Sequence, residues 1–137
     1  MAACIAWAGQ IKAGSVVKAP LHIVDLYATL LRLAGASLPQ TLPLDGRDAW
    51  AAMTQGKPSP HTEILLNATP NTGAIRVGDW KLVAKAGGEW ELYDLAADPV
   101  ELTNLAQKHP DKVKELADKW AAWAKRCLVV PYPEGKK

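Results

Sequence analysis

The 137-residue chain sets 16 Lys and Arg against 14 Asp and Glu, a formal charge of +2 spread without long runs. That balance excludes a basic nucleic-acid groove and a polybasic membrane anchor. A hydrophobic content of 49%, with six Trp and three Tyr, supplies the core of one domain and excludes a disordered chain.

Residues 3–7, ACIAW, form a short apolar run closed by Gly9. They read as a strand buried on both faces, which belongs in the middle of a sheet, so the expectation is that neighbouring strands lie upstream and that the chain is a piece of something larger. After the loop IKAGSVVKAP, the stretch HIVDLYATLLRLAGA reads as a helix. Asp25 is its expected cap, Leu26, Leu30 and Leu33 with Tyr27 and Leu31 its apolar face, and Gly35 its end. That face has no matching partner in the first forty residues, so it is expected to lie against a sheet or another layer.

Pro39, Pro43, Asp45 and Gly46 make an extended linker, and the best domain boundary falls across residues 36–46. A short helix follows over Asp48 to Gln55, with Ala49, Trp50 and Met53 facing inward and Gly56 stopping it. From Glu63 the period changes from helical to alternating. EILLNA, GAIRVG, WKLVAK and WELYDL are short, rich in β-branched and aromatic residues and separated by Gly or Asn turns, the pattern of a four-stranded antiparallel meander. Ile75 and Val77 share one side of their strand, as do Trp80, Leu82 and Ala84, while Arg76 and Lys81 emerge on the other. Asp94 and Asp98 read as turn residues. Pro110 opens a last helix in which Val113, Leu116, Ala117, Trp120 and Trp123 recur at helical spacing, and this stripe is expected to cover the meander.

Chemistry is sparse. Cys4 and Cys127 lie at opposite ends with no CxxC pair, which excludes a thiolate zinc site and a disulfide-dense scaffold; free core thiols are the expected state and a terminal staple the alternative. His22, His61 and His109 are isolated, with no pair at i and i+4, and there is no GxSxG elbow, HExxH or phosphate-cradling loop. Asn67, Ala68 and Thr69 form a glycosylation pattern better read as a turn at a strand end. No apolar stretch reaches the roughly 20 residues of a membrane helix and no targeting segment is visible, so the sequence names no compartment.

The ordered strings IAWAGQIKAGSVVKAPLHIVDLYATLLRLAGA, LPLDGRDAWAAMTQG, GAIRVGDWKLV, ELYDLAADPVELTNLAQKHP and WAAWAK carry more information than any single motif. In that succession the chain resembles the carboxy-terminal part of a type I sulfatase, nearest to the arylsulfatase B group. The resemblance implies an α+β fold: a small antiparallel four-stranded sheet packed against a C-terminal helix, preceded by a strand-helix remnant of a larger α/β domain. It divides the chain into residues 1–40, the end of that large domain, and residues 41–137, the smaller subdomain. It also implies a parent that hydrolyses sulfuric esters of aryl or sugar substrates with calcium and a formylglycine nucleophile.

The nucleophile motif CxPxR or SxPxR is missing, and Cys4 followed by Ile5, Ala6, Trp7 and Ala8 does not fit it. No catalytic or metal-binding residue therefore carries over, and the chain by itself is expected to be inactive. Its partner would be the upstream catalytic domain and, in the parent, a sulfated sugar or aryl sulfate, the parent itself being periplasmic, secreted or lysosomal. The expected substrate-cleft residues are His61, Asn67, Asn71 and Thr72, because loops at sheet ends vary on a fixed scaffold. The competing reading is a stand-alone carbohydrate-binding or oligomerisation module that uses Trp80, Trp90 or the last helix, with homo-oligomers forming through exposed surfaces.

Overall fold

The computed structural model describes residues 3–36, 43–66, 72–84 and 89–129. They form two compact units, residues 1–62 and 63–137. The first holds α1 (Asp25–Leu33) and α2 (Trp50–Gln55); the second holds β1 (Ile64–Leu66), β2 (Gly73–Val77), β3 (Trp80–Ala84), β4 (Trp90–Asp94) and α3 (Pro110–Arg126). Among the described residues no helix is long and apolar enough to cross a membrane.

The second unit is the expected meander. Its strands lie in the order β1-β2-β3-β4, each pair antiparallel. Val77 pairs with Trp80 across a two-residue turn, where Gly78 takes a φ of 59° that a side chain would resist. The register aligns Leu65, Ile75, Leu82 and Leu92 in one cross-strand row. Ile75, Leu82 and Leu92 are fully buried with Leu116 of α3, and Val113, Ala117 and Trp120 pack around them. Period two on the strands and period 3.6 on the helix thus meet in one core. Trp80 and Trp90 belong to it: Trp90 meets Trp120 edge-on at 5.8 Å, and Trp80 meets the His109 ring at 5.3 Å. Alternation puts Arg76, Lys81, Glu91 and Tyr93 on the other face of the sheet.

Between β4 and α3 the chain is ordered by side-chain oxygens standing in for missing backbone acceptors. Asp94 accepts from the N–H of Ala96, Asp98 from Leu102 and Thr103, and Asn104 from Ala106 and from Leu92 in β4. Glu101 adopts a φ of 60°, uncommon for a side chain, and its carboxylate takes both oxygens to Lys81 Nζ at 2.6 and 2.7 Å. Asp94 and Asp98 are therefore turn-builders, as expected from the sequence, while Glu101 ties the segment to β3.

In its secondary-structure elements the first unit departs from expectation at three places. Residues 3–7 make no strand, and Ile5 and Trp7 are exposed. A strand needs a ladder partner, and none of the described residues offers one; Trp7 instead rests edge-on against Trp50 at 5.4 Å. On α2 the fully buried side chains are Ala49, just before the helix, and Ala52, while Trp50 and Met53 are only partly covered. Gly56 ends α2 as predicted, and does so in the left-handed conformation. Cys4 and Cys127 are free as expected, but both are exposed rather than in the core.

Candidate functional site

The third departure is α1. Its expected apolar face is turned outward, with Leu26, Tyr27 and Leu30 exposed, and its buried residues are Asp25 and Thr29. Asp25 is not the cap. Val24 occupies that position, and no side chain caps the helix. Asp25, Thr29 and Arg32 follow one another at i, i+4 and i+7, which places them on one stripe. That stripe is where the rest of the unit attaches.

Asp25 is the centre of the attachment. Its Oδ2 accepts from the backbone N–H of His22 at 2.8 Å, and its Oδ1 from the N–H of Arg47 at 2.9 Å and from His61 Nε2 at 2.6 Å. Thr29 Oγ1 accepts from the N–H of Ala49 at 2.9 Å, and Arg32 pairs with Asp48. Arg47 in turn donates from Nη1 to the carbonyl of Pro60 at 2.8 Å, while the N–H of His61 donates to Ser59 Oγ at 3.1 Å. Gly46 allows the approach. A Cβ there would collide with the Val24 carbonyl at the start of α1.

Asp25 is fully buried and the His61 side chain nearly so. Burial alone would push the Asp25 carboxyl up; the two backbone donors, with the His61 hydrogen bond and charge, outweigh it and hold the carboxyl below its ordinary value. The group is therefore an ionised acceptor near neutral pH, so His61 Nε2 must carry the proton it shares with Asp25. A carboxylate orienting an imidazole is half of a familiar catalytic arrangement. Here the other half is missing: Ser59 Oγ accepts from the backbone N–H of His61, and the Asp25 end of the pair is fully buried. Among the described residues no three His, Cys, Asp or Glu side chains gather as a metal site. Chemically the cluster is a clasp that joins the start of α1, the turn at 46–47 and the segment at 59–61.

Of the residues singled out from the sequence, the structure brings His61 to Asp25. Thr72 lies in the other unit, immediately before β2, and Asn67 and Asn71 fall outside the described residues. Sequence reasoning assigned Asp25 a helix-capping role and missed the clasp. Its members are 22 and 36 positions from Asp25, and no local spacing reveals such a meeting.

Residues 1–125 match the family described as N-sulphoglucosamine sulphohydrolase, C-terminal. Arylsulfatase K of Canis lupus familiaris is 34% identical over 122 residues, covering 80% of this chain and 23% of the relative. Arylsulfatase J of Mus musculus is 28% identical over 169 residues, covering 88% of this chain and 28% of the relative. A solved structure described as a complex with its substrate D-glucosamine-2-N,6-O-disulfate superposes with a TM-score of 0.63 at 28% identity, covering 84% of this chain and 26% of that one. The chain thus spans about a quarter of the length of the curated relatives it matches. With its four-stranded antiparallel sheet under a C-terminal helix, the chain belongs to the sulfatase family and corresponds to the C-terminal part of its members.

Proposed function

We propose that this chain serves as the carboxy-terminal part of a sulfuric ester hydrolase, supplying structure to a catalytic domain rather than chemistry of its own. The observation that carries the reading is the family match across residues 1–125 in a chain covering only a quarter of its relatives' length. In this reading residues 1–40 belong to the large α/β domain and residues 41–137 to the smaller one. The calcium and formylglycine that the resemblance implies do not fit the residues present: the described residues gather no acidic or imidazole ligand set, and Cys4 stands outside a CxPxR context. Both groups would sit in the partner domain, and no step of their chemistry involves this chain.

A sulfated sugar or an aryl sulfate is the substrate class proposed for the intact protein. The loop from Asn67 to Thr72 is the proposed contributor to the mouth of its cleft, with His61 holding the polypeptide before it. The module reading is weaker because Trp80 and Trp90 are committed to the core with His109, Trp120 and the aliphatic row. The test is sulfate release from nitrophenyl sulfate and from sulfated glucosamine. The 137-residue chain should release none, whereas the product of the reading frame extended upstream of Met1 should turn over. Turnover by the 137 residues alone would overturn the proposal.

A further inference from the structure

Arg47 is anchored twice. Its backbone N–H donates to Asp25 Oδ1 at 2.9 Å, the oxygen that also meets His61 Nε2 at 2.6 Å, and its Nη1 donates to the carbonyl of Pro60, the residue before His61, at 2.8 Å. The guanidinium and the imidazole are thereby held as neighbours, and each keeps polar atoms open. Arg47 is exposed, and among the described residues its Nε and Nη2 meet no acceptor. No carboxylate faces it there, whereas Arg32 pairs with Asp48 and Arg76 lies near Asp79. Because His61 directs its Nε2 proton to Asp25, its Nδ1 carries a lone pair and accepts. Among the described residues that nitrogen has no partner, yet it is not sealed in: the buried side-chain atom without a partner is Trp120 Nε1.

We propose that Arg47 and His61 form a subsite for an anionic sugar, the Arg47 guanidinium taking a sulfate or carboxylate and His61 Nδ1 accepting from a neighbouring hydroxyl; the proposal rests on the function proposed above and names the residues of this chain that would touch its substrate. The chemistry of the two groups selects the ligand. With Nη1 on the Pro60 carbonyl, the Nε and Nη2 edge of the guanidinium remains, and its parallel N–H groups match two oxygens of one oxyanion. A neutral imidazole nitrogen repels a second anion but accepts a hydroxyl hydrogen. A sugar ring with one charged substituent presents both groups together, whereas a simple aryl sulfate brings no hydroxyl, so the pair favours the sugar class. Asp25 already fixes the ring and the Pro60 carbonyl the guanidinium, so little side-chain freedom is lost on binding.

The test is NMR of the 137-residue chain with isotope-labelled histidine. Titration with a sulfated glucosamine or with glucuronate should shift the His61 ring signals and leave those of His109, whose ring meets Trp80 in the other unit. The sugar that acts at the lower concentration identifies the anion as sulfate or carboxylate. Arg47→Gln should weaken the response about tenfold, the loss of a charge-assisted hydrogen bond, and Arg47→Lys, which keeps the charge without the fork, by a smaller factor. An equal response to inorganic sulfate would leave a simple anion contact and overturn the sugar assignment, and no His61 response to either sugar would overturn the subsite. In the product extended in frame upstream of Met1, Arg47→Gln should raise KM for sulfated glucosamine about tenfold, a larger factor than any fall in kcat. Turnover with KM unmoved would overturn the subsite and leave the functional reading intact. Absence of turnover by the unsubstituted extended product would overturn that reading, and the His61 titration then decides the subsite separately.

Discussion

His61 and Asp25, 36 positions apart, share a proton across 2.6 Å in a buried contact that ties the end of the first unit to the start of its principal helix. The carboxylate takes two further backbone donors, so one side chain holds three segments. Its removal should be costly out of proportion to its size.

Asp25→Ala leaves the N–H groups of His22 and Arg47 and the His61 Nε2 proton without their acceptor in a buried place. A loss of about 3 kcal/mol is expected, since unsatisfied buried donors cost about 1–3 kcal/mol each and the site relaxes in part. His61→Ala should cost less, about 1–2 kcal/mol, because both backbone donors keep their acceptor. Urea denaturation of the two variants against the parent chain measures both, and equal losses would contradict the ranking.

The same carboxyl sets an acid limit. Its folded value lies below the ordinary 3.8, so the unfolded chain takes up the proton first. The stabilisation is complete above that ordinary value and is lost as pH falls through the lower folded one. A pH series of denaturation midpoints below about pH 4 should therefore fall less steeply in Asp25→Asn than in the parent chain.

Gly73 opens β2 directly beneath Trp120. A Cβ there would come within 2.6 Å of Cε2, 2.7 Å of Cζ2 and 2.9 Å of Nε1 of the indole, which is itself flanked by Trp90 and Trp123. Gly73→Ala is expected to destabilise the second unit by about 1–3 kcal/mol, the usual range for overpacking, with a change in Trp fluorescence of the folded state. A parent-like emission spectrum and midpoint would show that the indole moves aside freely.

Leu116 and Asp118 are two residues apart on α3 and should behave oppositely. Leu116 is fully buried among Ile75, Leu82 and Leu92, so Leu116→Ala should cost about 2–5 kcal/mol. Asp118 pairs with Lys114 in solvent, and Asp118→Asn should leave the thermal midpoint where it is, because exposed pairs are screened.

Much of the second unit is legible in its sequence. Alternation over residues 64–94, a Gly-Asp turn between Val77 and Trp80, and a helical stripe from Val113 to Trp123 are signals of period and turn chemistry, each contained in a window of a few residues. Their meeting follows from burial alone, since one apolar sheet face and one apolar helix face close each other off from water. The first unit was legible only as elements. Periodicity located α1 and α2 to within two residues, but it led to the expectation that leucines, not Asp25 and Thr29, would be covered.

The elements, the meander with its helix, and the family succession of short strings are all carried by local stretches of residues. The choice of face on α1 and the convergence of Asp25, Arg47 and His61 emerge only in the folded chain. The reason is physical. Hydrophobic periodicity reports that a face can be buried but not by what, whereas a buried carboxylate is satisfied by donors that chain folding brings from any distance along the sequence.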